Sequence, residues 1–455
     1  MRKLLAFLLL FALPAVAQNT AAIDKTVTEL LAKSGAPSAS VAVVNGGKLA
    51  YVRAYGNARV EPPLAATPEM RYSIGSISKQ FTAAAVLLLA EEGKLSLDDK
   101  VVRWLPELTR ASDVTIRQLL SMTSGYQDFW PQDYVMPMMM KDVATADILN
   151  GWAKKPLDFE PGAKWQYSNT NYVVAGVIVE RVAGMPLLDF LQKRIFAPLG
   201  MTSVTNSDEA ALGPNDPMRY QRFALAPVRP APKEGRGWMF AAGELAMTAS
   251  DLAKWDIAMI EQKILSPQSF RELEREVQLN NGIGTRYGLG VSVGTTDGRR
   301  IISHGGEVSG FTARNDVYVD DGAAVVVLTN LDATNASEQI ATAIGKQLFA
   351  TSDSGTQAAL DTMKRVFEGL QRGQIDRSLF TSNANAYFSA DAVKDFAASL
   401  GPLGKVQEFT QSGQSLRGGM TLRRYRIKLA NQALRLTTFI MPDGKIEEYQ
   451  ISAAE

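Results

Sequence analysis

The sequence predicts an α/β (α+β) protein with helices packed on a sheet, followed by a small second domain. Across residues 22–350, alternating apolar stretches such as 40–44 lie between long helical patterns. Residues 351–358 are mostly small and polar and lack periodicity, which indicates a linker. With 455 residues and 46% hydrophobic content the chain can bury a large core, which argues against disorder and fibrous structure.

Composition removes several classes of chemistry. Lys and Arg number 48 against 47 Asp and Glu, so there is no basic excess and no nucleic-acid partner is expected. The absence of cysteine excludes disulfides, thiol catalysis and thiolate metal sites, and a single histidine excludes a multi-histidine metal site. We expect no metal and no cofactor. Carboxylates, hydroxyls and lysines are left to carry the chemistry.

Residues 1–17 have the features of a signal peptide. Arg2 and Lys3 supply a positive start, residues 4–16 form a short apolar run, and Ala15-Val16-Ala17 fits a cleavage site. A membrane anchor is the alternative, but a span needs about 20 apolar residues and polar residues begin at Gln18. We therefore expect a periplasmic or secreted protein with no integral membrane segment after cleavage.

Residues 359–455 are predicted to form a small α+β domain. An amphipathic helix pattern over 363–370 comes first, and alternating stretches at 425–429 and 434–440 indicate β-hairpins. Helices followed by hairpins resemble the small cone-shaped domains of the NTF2-like kind. No motif of polar residues in this domain predicts a second active site.

The first candidate for chemistry is Ser76-x-x-Lys79, at the start of an apolar helix pattern that ends near Gly93. The two side chains lie one turn apart on the same helix face. The helix start favours developing negative charge, and a lysine beside an apolar run is partly desolvated, which lowers its pKa. Ser76 is the candidate nucleophile and Lys79 the candidate base. The alternative is an ordinary helix start with a solvated lysine.

A second polar pair, Tyr167 and Asn169, precedes an apolar helix pattern over 173–179. A tyrosine near a lysine can relay a proton, and a carboxamide can both donate to and accept from an ester or amide. Tyr55 and Asn57 have the same spacing, but there the pattern predicts a strand end and a turn.

The single histidine, His304, lies between a strand pattern and a Gly-rich turn containing Gly305 and Gly306. Glycines in this position allow a ligand to approach the backbone closely. A competing Ser-His arrangement pairs His304 with Ser292 of Gly290-x-Ser292-x-Gly294, which matches a nucleophile elbow. An elbow requires strand, sharp turn and helix, whereas another strand pattern follows here, so we reject Ser292.

Taken together, Ser76-x-x-Lys79, Tyr167-x-Asn169 and His304-x-Gly306 resemble the three motifs of the serine β-lactamase and penicillin-binding protein superfamily. The most similar branch holds class C β-lactamases, DD-peptidases, D-amino-acid peptidases and esterases. The resemblance covers residues 25–348. It implies the β-lactamase/transpeptidase-like fold, an antiparallel sheet flanked by helices plus a helical subdomain, with the site between them.

The resemblance also implies roles for the site residues. Ser76 would be acylated and then deacylated, with general acid and base work shared by Lys79 and Tyr167; which of the two is the principal base stays open. Substrate binding would involve three further residues: Asn169, His304 and Gly306. The oxyanion would be held by the backbone N–H groups of Ser76 and Glu307.

One departure from the family pattern bears on substrate. His304 stands where β-lactamases of this branch usually have lysine, and a histidine with an ordinary pKa of about 6.5 is mostly neutral at pH 7. This motif therefore lacks a permanent cation for a penicillin-type carboxylate. Loops over 130–140 and 235–240 are expected to shape the pocket.

The sequence thus predicts an exported serine hydrolase that works through acyl-Ser76. Its substrate would be an ester or a D-amino-acid amide, either a small molecule or a peptidoglycan-derived peptide. A β-lactamase proper is one alternative. A penicillin-binding or sensor protein that does not turn over is the other.

Overall fold

The fold is known from a computed structural model, which describes residues 15–132, 134–349 and 354–454. The chain divides into two compact units, with the boundary between Phe349 and Ala350. The predicted combination of helices with an antiparallel sheet is confirmed. None of the described helices is both long enough and apolar enough to cross a membrane.

The strands of the described residues, in chain order, are β1 (Ser38–Asn45), β2 (Lys48–Arg59), β3 (Leu64–Ala65), β4 (Tyr72–Ser73), β5 (Thr205–Asn206), β6 (Tyr220–Gln221), β7 (Arg229–Pro230), β8 (Leu245–Met247), β9 (Ser292–Thr296), β10 (Arg299–Val308), β11 (Phe311–Tyr318), β12 (Ala323–Thr329), β13 (Glu408–Arg417), β14 (Met420–Lys428), β15 (Ala433–Ile440) and β16 (Ile446–Ala453).

The α-helices are α1 (Ala15–Ser34), α2 (Ser78–Glu91), α3 (Ile116–Leu120), α4 (Thr145–Ile148), α5 (Asn169–Ala183), α6 (Leu187–Leu191), α7 (Ala197–Leu199), α8 (Ala249–Ile260), α9 (Pro267–Glu274), α10 (Ala336–Phe349), α11 (Ser354–Gln371), α12 (Ser382–Tyr387) and α13 (Ala390–Leu400). Short 3₁₀ turns occupy Gly75–Ile77, Val101–Arg103, Pro137–Met140, Val319–Asp321, Arg377–Leu379 and Gly401–Leu403, and π-helical turns occupy Leu149–Ala153 and Gln192–Phe196.

The first unit is built around a seven-stranded antiparallel sheet in the order β3-β2-β1-β12-β11-β10-β9. Its central strands β1 and β12 are apolar and buried along almost their whole length. Because side chains alternate between the two faces of a strand, each face contributes to a separate core. Val43 packs with α1 and α10 on one face, and Val44 packs with the helical region on the other.

Helix α2 lies at the centre of the helical region. All but its last two residues are buried, which fits a helix that is apolar on nearly every side. It follows directly from the 3₁₀ turn that contains Ser76. Gly93 lies just beyond this helix with a φ of +68°, as expected for a helix C-terminus.

Strand β10 passes close to that 3₁₀ turn, and two glycines make the approach possible. A Cβ on Gly306 would lie 1.9 Å from the carbonyl oxygen of Ile74. Gly75 has a φ of +50°, and a Cβ there would lie 2.7 Å from the backbone nitrogen of Glu307. Glycine at both positions therefore holds the sheet edge against the turn that carries Ser76.

The second unit is a four-stranded antiparallel sheet, β13-β14-β15-β16, with α11, α12 and α13 packed on one face. Its helix pattern over 363–370 forms part of α11, and the hairpin patterns form β14 and β15. The apolar side chains of both elements meet in one core that includes Phe367, Tyr425 and Leu436.

Some local predictions differ from the structure. Helix α11 begins at Ser354, so the predicted linker over 351–358 is too long: small polar residues are also favourable in the first turn of a helix. Tyr55 and Asn57 lie within strand β2, not at its end. Most of the predicted signal peptide, residues 1–14, lies outside the described residues, and residues 15–17 belong to α1.

We expect Gly306→Ala to lower the free energy of unfolding by about 1–3 kcal/mol, because the new Cβ would overlap the Ile74 carbonyl and displace β10. Gly305→Ala is the matched control, since its Cβ would have only the Ala313 carbonyl oxygen in range, at 3.9 Å. Urea unfolding of both variants measures the difference. Equal stability of the two variants would show that β10 does not depend on this close approach.

Candidate active site

A cavity of about 930 Å³ opens in the first unit between the helical region and strand β10. Every predicted site residue except Lys79 lines this cavity: Ser76, Tyr167, Asn169, His304, Gly306 and Glu307. Lys79 lies beneath the cavity floor, fully buried. The structure thus brings together residues that are far apart in the sequence.

The Lys79 ammonium group is surrounded by acceptors. Its Nζ lies 2.8 Å from Ser76 Oγ, 2.8 Å from Asn169 Oδ1 and 2.8 Å from the carbonyl oxygen of Ala242. An ammonium has three N–H donors, so all three are satisfied in this position. Ser76 and Lys79 are on the same side of the turn into α2, as the spacing predicts.

Burial lowers the pKa of Lys79 to about 7, and the nearby negative charge of Asp128 opposes that shift. Near neutral pH a substantial fraction of Lys79 is therefore the free amine. In that form the Lys79 nitrogen carries a lone pair and lies 2.8 Å from Ser76 Oγ, so it can accept the hydroxyl proton. Such an arrangement can activate a serine, because a neutral amine beside a hydroxyl is able to take its proton.

Tyr167 is a third residue next to this hydroxyl. Its phenol lies within interaction range of Ser76, and the ring centroid lies 5.0 Å from Lys79 Nζ. Burial of the phenol raises the pKa of Tyr167, so the group keeps its proton at neutral pH. A protonated phenol in this position can donate a proton.

Asn169 is the first residue of α5, and its amide is oriented by Asp128. Asp128 Oδ1 accepts from the Asn169 backbone N–H at 2.9 Å and from Asn169 Nδ2 at 3.2 Å. With Nδ2 held in this way, Oδ1 faces Lys79. Sequence reasoning missed Asp128, because it belongs to none of the three motifs.

His304 is buried and neutral. A backbone carbonyl can only accept, so Nδ1 donates to the Gly305 carbonyl and Nε2 accepts from the Tyr287 hydroxyl at 2.9 Å. Burial and the charge of Lys79 lower the pKa of His304 to about 3. His304 therefore supplies no cation to the cavity.

The cavity wall does hold one cation that sequence reasoning missed. Arg314 on β11 lies opposite Gly305 and lines the cavity. Its Nε donates to Asp316 Oδ1 at 2.6 Å, so its charge is paired. The Arg314 side chain is partly exposed, at 23%.

Strand β10 presents its edge to the cavity. The neighbouring strand β9 pairs with β10 only as far as Ser303, and residues 304–308 beyond that point line the cavity. The loops over 130–140 and 235–240 are predicted to shape the pocket. Part of each loop lines the cavity: Trp130, Pro131, Gln132, Tyr134, Val135, Trp238 and Met239.

The competing motifs lie elsewhere. Ser292 begins strand β9, opposite Ser303, and no helix follows it as an elbow requires. Tyr55 on β2 donates to Asp24 at 2.7 Å. Neither residue lines the cavity. Within the described part of the chain, no group of three or more His, Asp or Glu side chains is placed to hold a metal ion.

An antiparallel sheet beside a buried helix, with a serine in the turn before that helix and a lysine in its first turn, is the arrangement of a serine hydrolase of the β-lactamase and penicillin-binding protein superfamily. The chain belongs to the beta-lactamase family, whose model matches residues 23–348. The resemblance drawn from the three sequence motifs is confirmed.

Three similar proteins are compared with the chain. Penicillin-binding protein 4* of Bacillus subtilis (strain 168) is 31% identical over 340 residues, 71% of this chain and 74% of that protein. The D-stereospecific amidohydrolase from Streptomyces sp. is 27% identical with a TM-score of 0.63, over 73% of this chain and 99% of that one. The octameric penicillin-binding protein homologue from Pyrococcus abyssi is 21% identical with a TM-score of 0.64, over 95% of this chain and 99% of that one, a likeness of fold alone.

We expect Asp128→Asn to move the low-pH limb of the kcat/KM profile to lower pH. The Asp128 charge raises the pKa of Lys79, so removing it lets that pKa fall below about 7. The control is Asp98→Asn, because the Asp98 side chain is 72% exposed and ion-paired to Arg117 outside the cavity. An unshifted profile in Asp128→Asn would mean that Asp128 does not act on Lys79.

Proposed function

We propose that this protein is an exported hydrolase that forms an acyl-Ser76 intermediate with an ester or a D-amino-acid amide. The observation that carries the proposal is the buried Lys79 Nζ, 2.8 Å from Ser76 Oγ. Export through the signal peptide over residues 1–17, and the division into a catalytic domain at 22–350 and a small domain at 359–455, are part of the proposal.

Acylation begins with neutral Lys79. Its nitrogen takes the Ser76 hydroxyl proton while Oγ bonds to the carbonyl carbon of the substrate, and the carbonyl oxygen takes the electron pair of the double bond. The resulting oxyanion accepts from the backbone N–H groups of Ser76 and Glu307. When the carbonyl re-forms, the bond to the leaving group breaks and Tyr167 gives its proton to the departing nitrogen or oxygen. Lys79 keeps the serine proton through this step, and Tyr167 is left as the phenolate.

Deacylation repeats these steps with water. The Tyr167 phenolate takes one proton from water as the water oxygen bonds to the acyl carbon, and the second tetrahedral oxyanion uses the same two N–H groups. Collapse breaks the bond to Oγ, which takes back the proton held by Lys79, and the acid product leaves. The free Ser76 hydroxyl is restored with no net change in the enzyme.

The pKa shifts favour Lys79 over Tyr167 as principal base. A general base works best with a pKa near the working pH, and burial brings the pKa of Lys79 to about 7. The same burial raises the pKa of Tyr167, which keeps the phenol protonated and suits it to donate. Both groups lie beside Ser76 Oγ, so one can take the serine proton while the other donates to the leaving group.

The substrate assignment rests on the cavity wall and on a relative. The outer edge of β10 over residues 304–308 can pair with an extended substrate backbone, and Asn169 can bind an amide group. His304 is neutral, which gives little to attract the carboxylate of a penicillin-type substrate. The D-stereospecific amidohydrolase relative supports an amide of a D-amino acid, and a peptidoglycan-derived peptide belongs to the same chemical class.

We expect Ser76→Ala to reduce hydrolysis of a nitrophenyl ester and of a D-alanine anilide by about 10³-fold or more, because Ser76 supplies the cavity hydroxyl that Lys79 contacts. The control is Ser292→Ala, which removes the serine of the rejected elbow and should leave both rates unchanged. Full activity of Ser76→Ala would refute the acyl-Ser76 mechanism.

The same preparation separates the alternatives. Rapid hydrolysis of a chromogenic cephalosporin, with slow ester and amide turnover, would identify a β-lactamase proper. A stable mass increase on Ser76 with no released product would identify a non-turning binder. Ester or D-amide turnover that exceeds cephalosporin turnover is the result that we expect.

The rate should rise with pH through about 7, because only neutral Lys79 can take the serine proton. Below that value kcat/KM should fall about tenfold for each pH unit as the amine becomes protonated. Lys79→Arg should lose about 10²-fold or more at every pH, since a guanidinium stays charged. A profile that is flat between pH 5 and 8 would contradict the role of Lys79 as base.

A further inference from the structure

The second unit carries a group of cations on the exposed face of its sheet. Tyr425, Ile427 and Leu436 pack inward against the helices, so the alternate residues of β14 and β15 face solvent. Four of these outward residues are positively charged and exposed; we call them the basic face: Arg424, Arg426, Lys428 and Arg435.

Two of these cations stand directly opposite each other. Arg426 on β14 pairs in register with Arg435 on β15. The Leu429 N–H donates to the Gln432 carbonyl, which makes these two residues a hydrogen-bonded pair. Hydrogen-bonded and non-hydrogen-bonded pairs alternate along an antiparallel ladder. Three positions further along, Arg426 and Arg435 therefore form a non-hydrogen-bonded pair. Side chains come closest in such pairs, and like charges there are destabilising. The Arg426–Arg435 pair by itself therefore does not stabilise the folded domain.

The neighbours of the basic face do not neutralise it. Arg426 lies beside Thr410, and Arg435 lies beside Ser452. Glu408 is opposite Lys428, but the two form no ion pair. Across the described residues, none of the four cations of the basic face makes an ion pair or a side-chain hydrogen bond.

The geometry fits a row of phosphate groups. Three of the cations follow every second position of β14, which places them along about 13 Å of strand. A guanidinium binds phosphate with two parallel N–H groups. A tetrahedral phosphate points its oxygens in several directions, so a single group can bridge the opposed Arg426 and Arg435. A planar carboxylate presents one edge and fits a single arginine better.

We propose that the basic face binds an anionic polymer with repeated phosphate groups. Bound phosphate would neutralise the opposed arginines, which explains why they can be kept in register. Single-stranded nucleic acid also carries phosphates, but its binding sites include aromatic side chains for base stacking. The neighbours Thr410, Thr437, Gln450 and Ser452 provide no such ring. The ring of Phe439, farther along this face, is buried beneath the Arg417 guanidinium. This surface is separate from the proposed acyl transfer and does not rest on it.

The test uses the full chain and end-labelled long-chain polyphosphate, with binding measured by fluorescence anisotropy over a range of salt concentrations. The triple variant Arg424→Gln, Arg426→Gln, Arg435→Gln should bind at least about tenfold more weakly and with a flatter salt dependence. The matched control is Lys364→Gln, Arg372→Gln, Lys394→Gln, which removes the same charge from exposed residues of the same unit outside the sheet. The control should bind like the unaltered protein.

Folding is checked independently of binding. The triple variant should unfold at the same temperature as the unaltered protein or higher, because it removes the repulsion between Arg426 and Arg435. Four results would overturn the proposal: no polyphosphate binding by the unaltered protein at about 0.15 M salt, equal loss in both triple variants, equally tight binding of polyglutamate, or tighter binding of oligo-dT than of polyphosphate.

Discussion

The active site depends on one buried ammonium group. Lys79 projects from a helix that is apolar on nearly every side, where an unpaired charge would be very costly. Three acceptors from three separate segments meet its three donors: Ser76, Asn169 and the Ala242 carbonyl. These segments must therefore keep fixed positions around α2. The same burial that demands this packing lowers the pKa of Lys79 to about 7.

Other groups of the site are held in their neutral forms by the same cause. Burial raises the pKa of Tyr167 and lowers the pKa of His304. The negative charge of Asp128 keeps the pKa of Lys79 from falling below about 7. Behind the site, the side chains of Gln80 and Asn315 are bonded at 3.1 Å, which joins α2 to β11. A fixed scaffold of this kind orients polar groups before the substrate arrives, which is how preorganised sites stabilise charge.

Sequence reasoning reached the groups that belong to local patterns and missed the groups that only contact them. Ser76 and Lys79 share a helix face, and Tyr167 and Asn169 share a helix start, so their proximity follows from spacing. Asp128 meets Asn169 from 41 residues away. Arg314 is opposite Gly305 only because β10 and β11 pair in one register. Nothing in the local pattern around either residue marks it as part of a site.

By itself the sequence determined the family, the mixed fold and the serine and lysine of the first motif, because these follow from residue type, periodicity and order along the chain. Only the tertiary structure decided the protonation states of Lys79, Tyr167 and His304 and the partners of Asn169 and Arg314. A pKa depends on burial and on charges a few ångströms away. Those neighbours come from distant segments, and only folding brings them together.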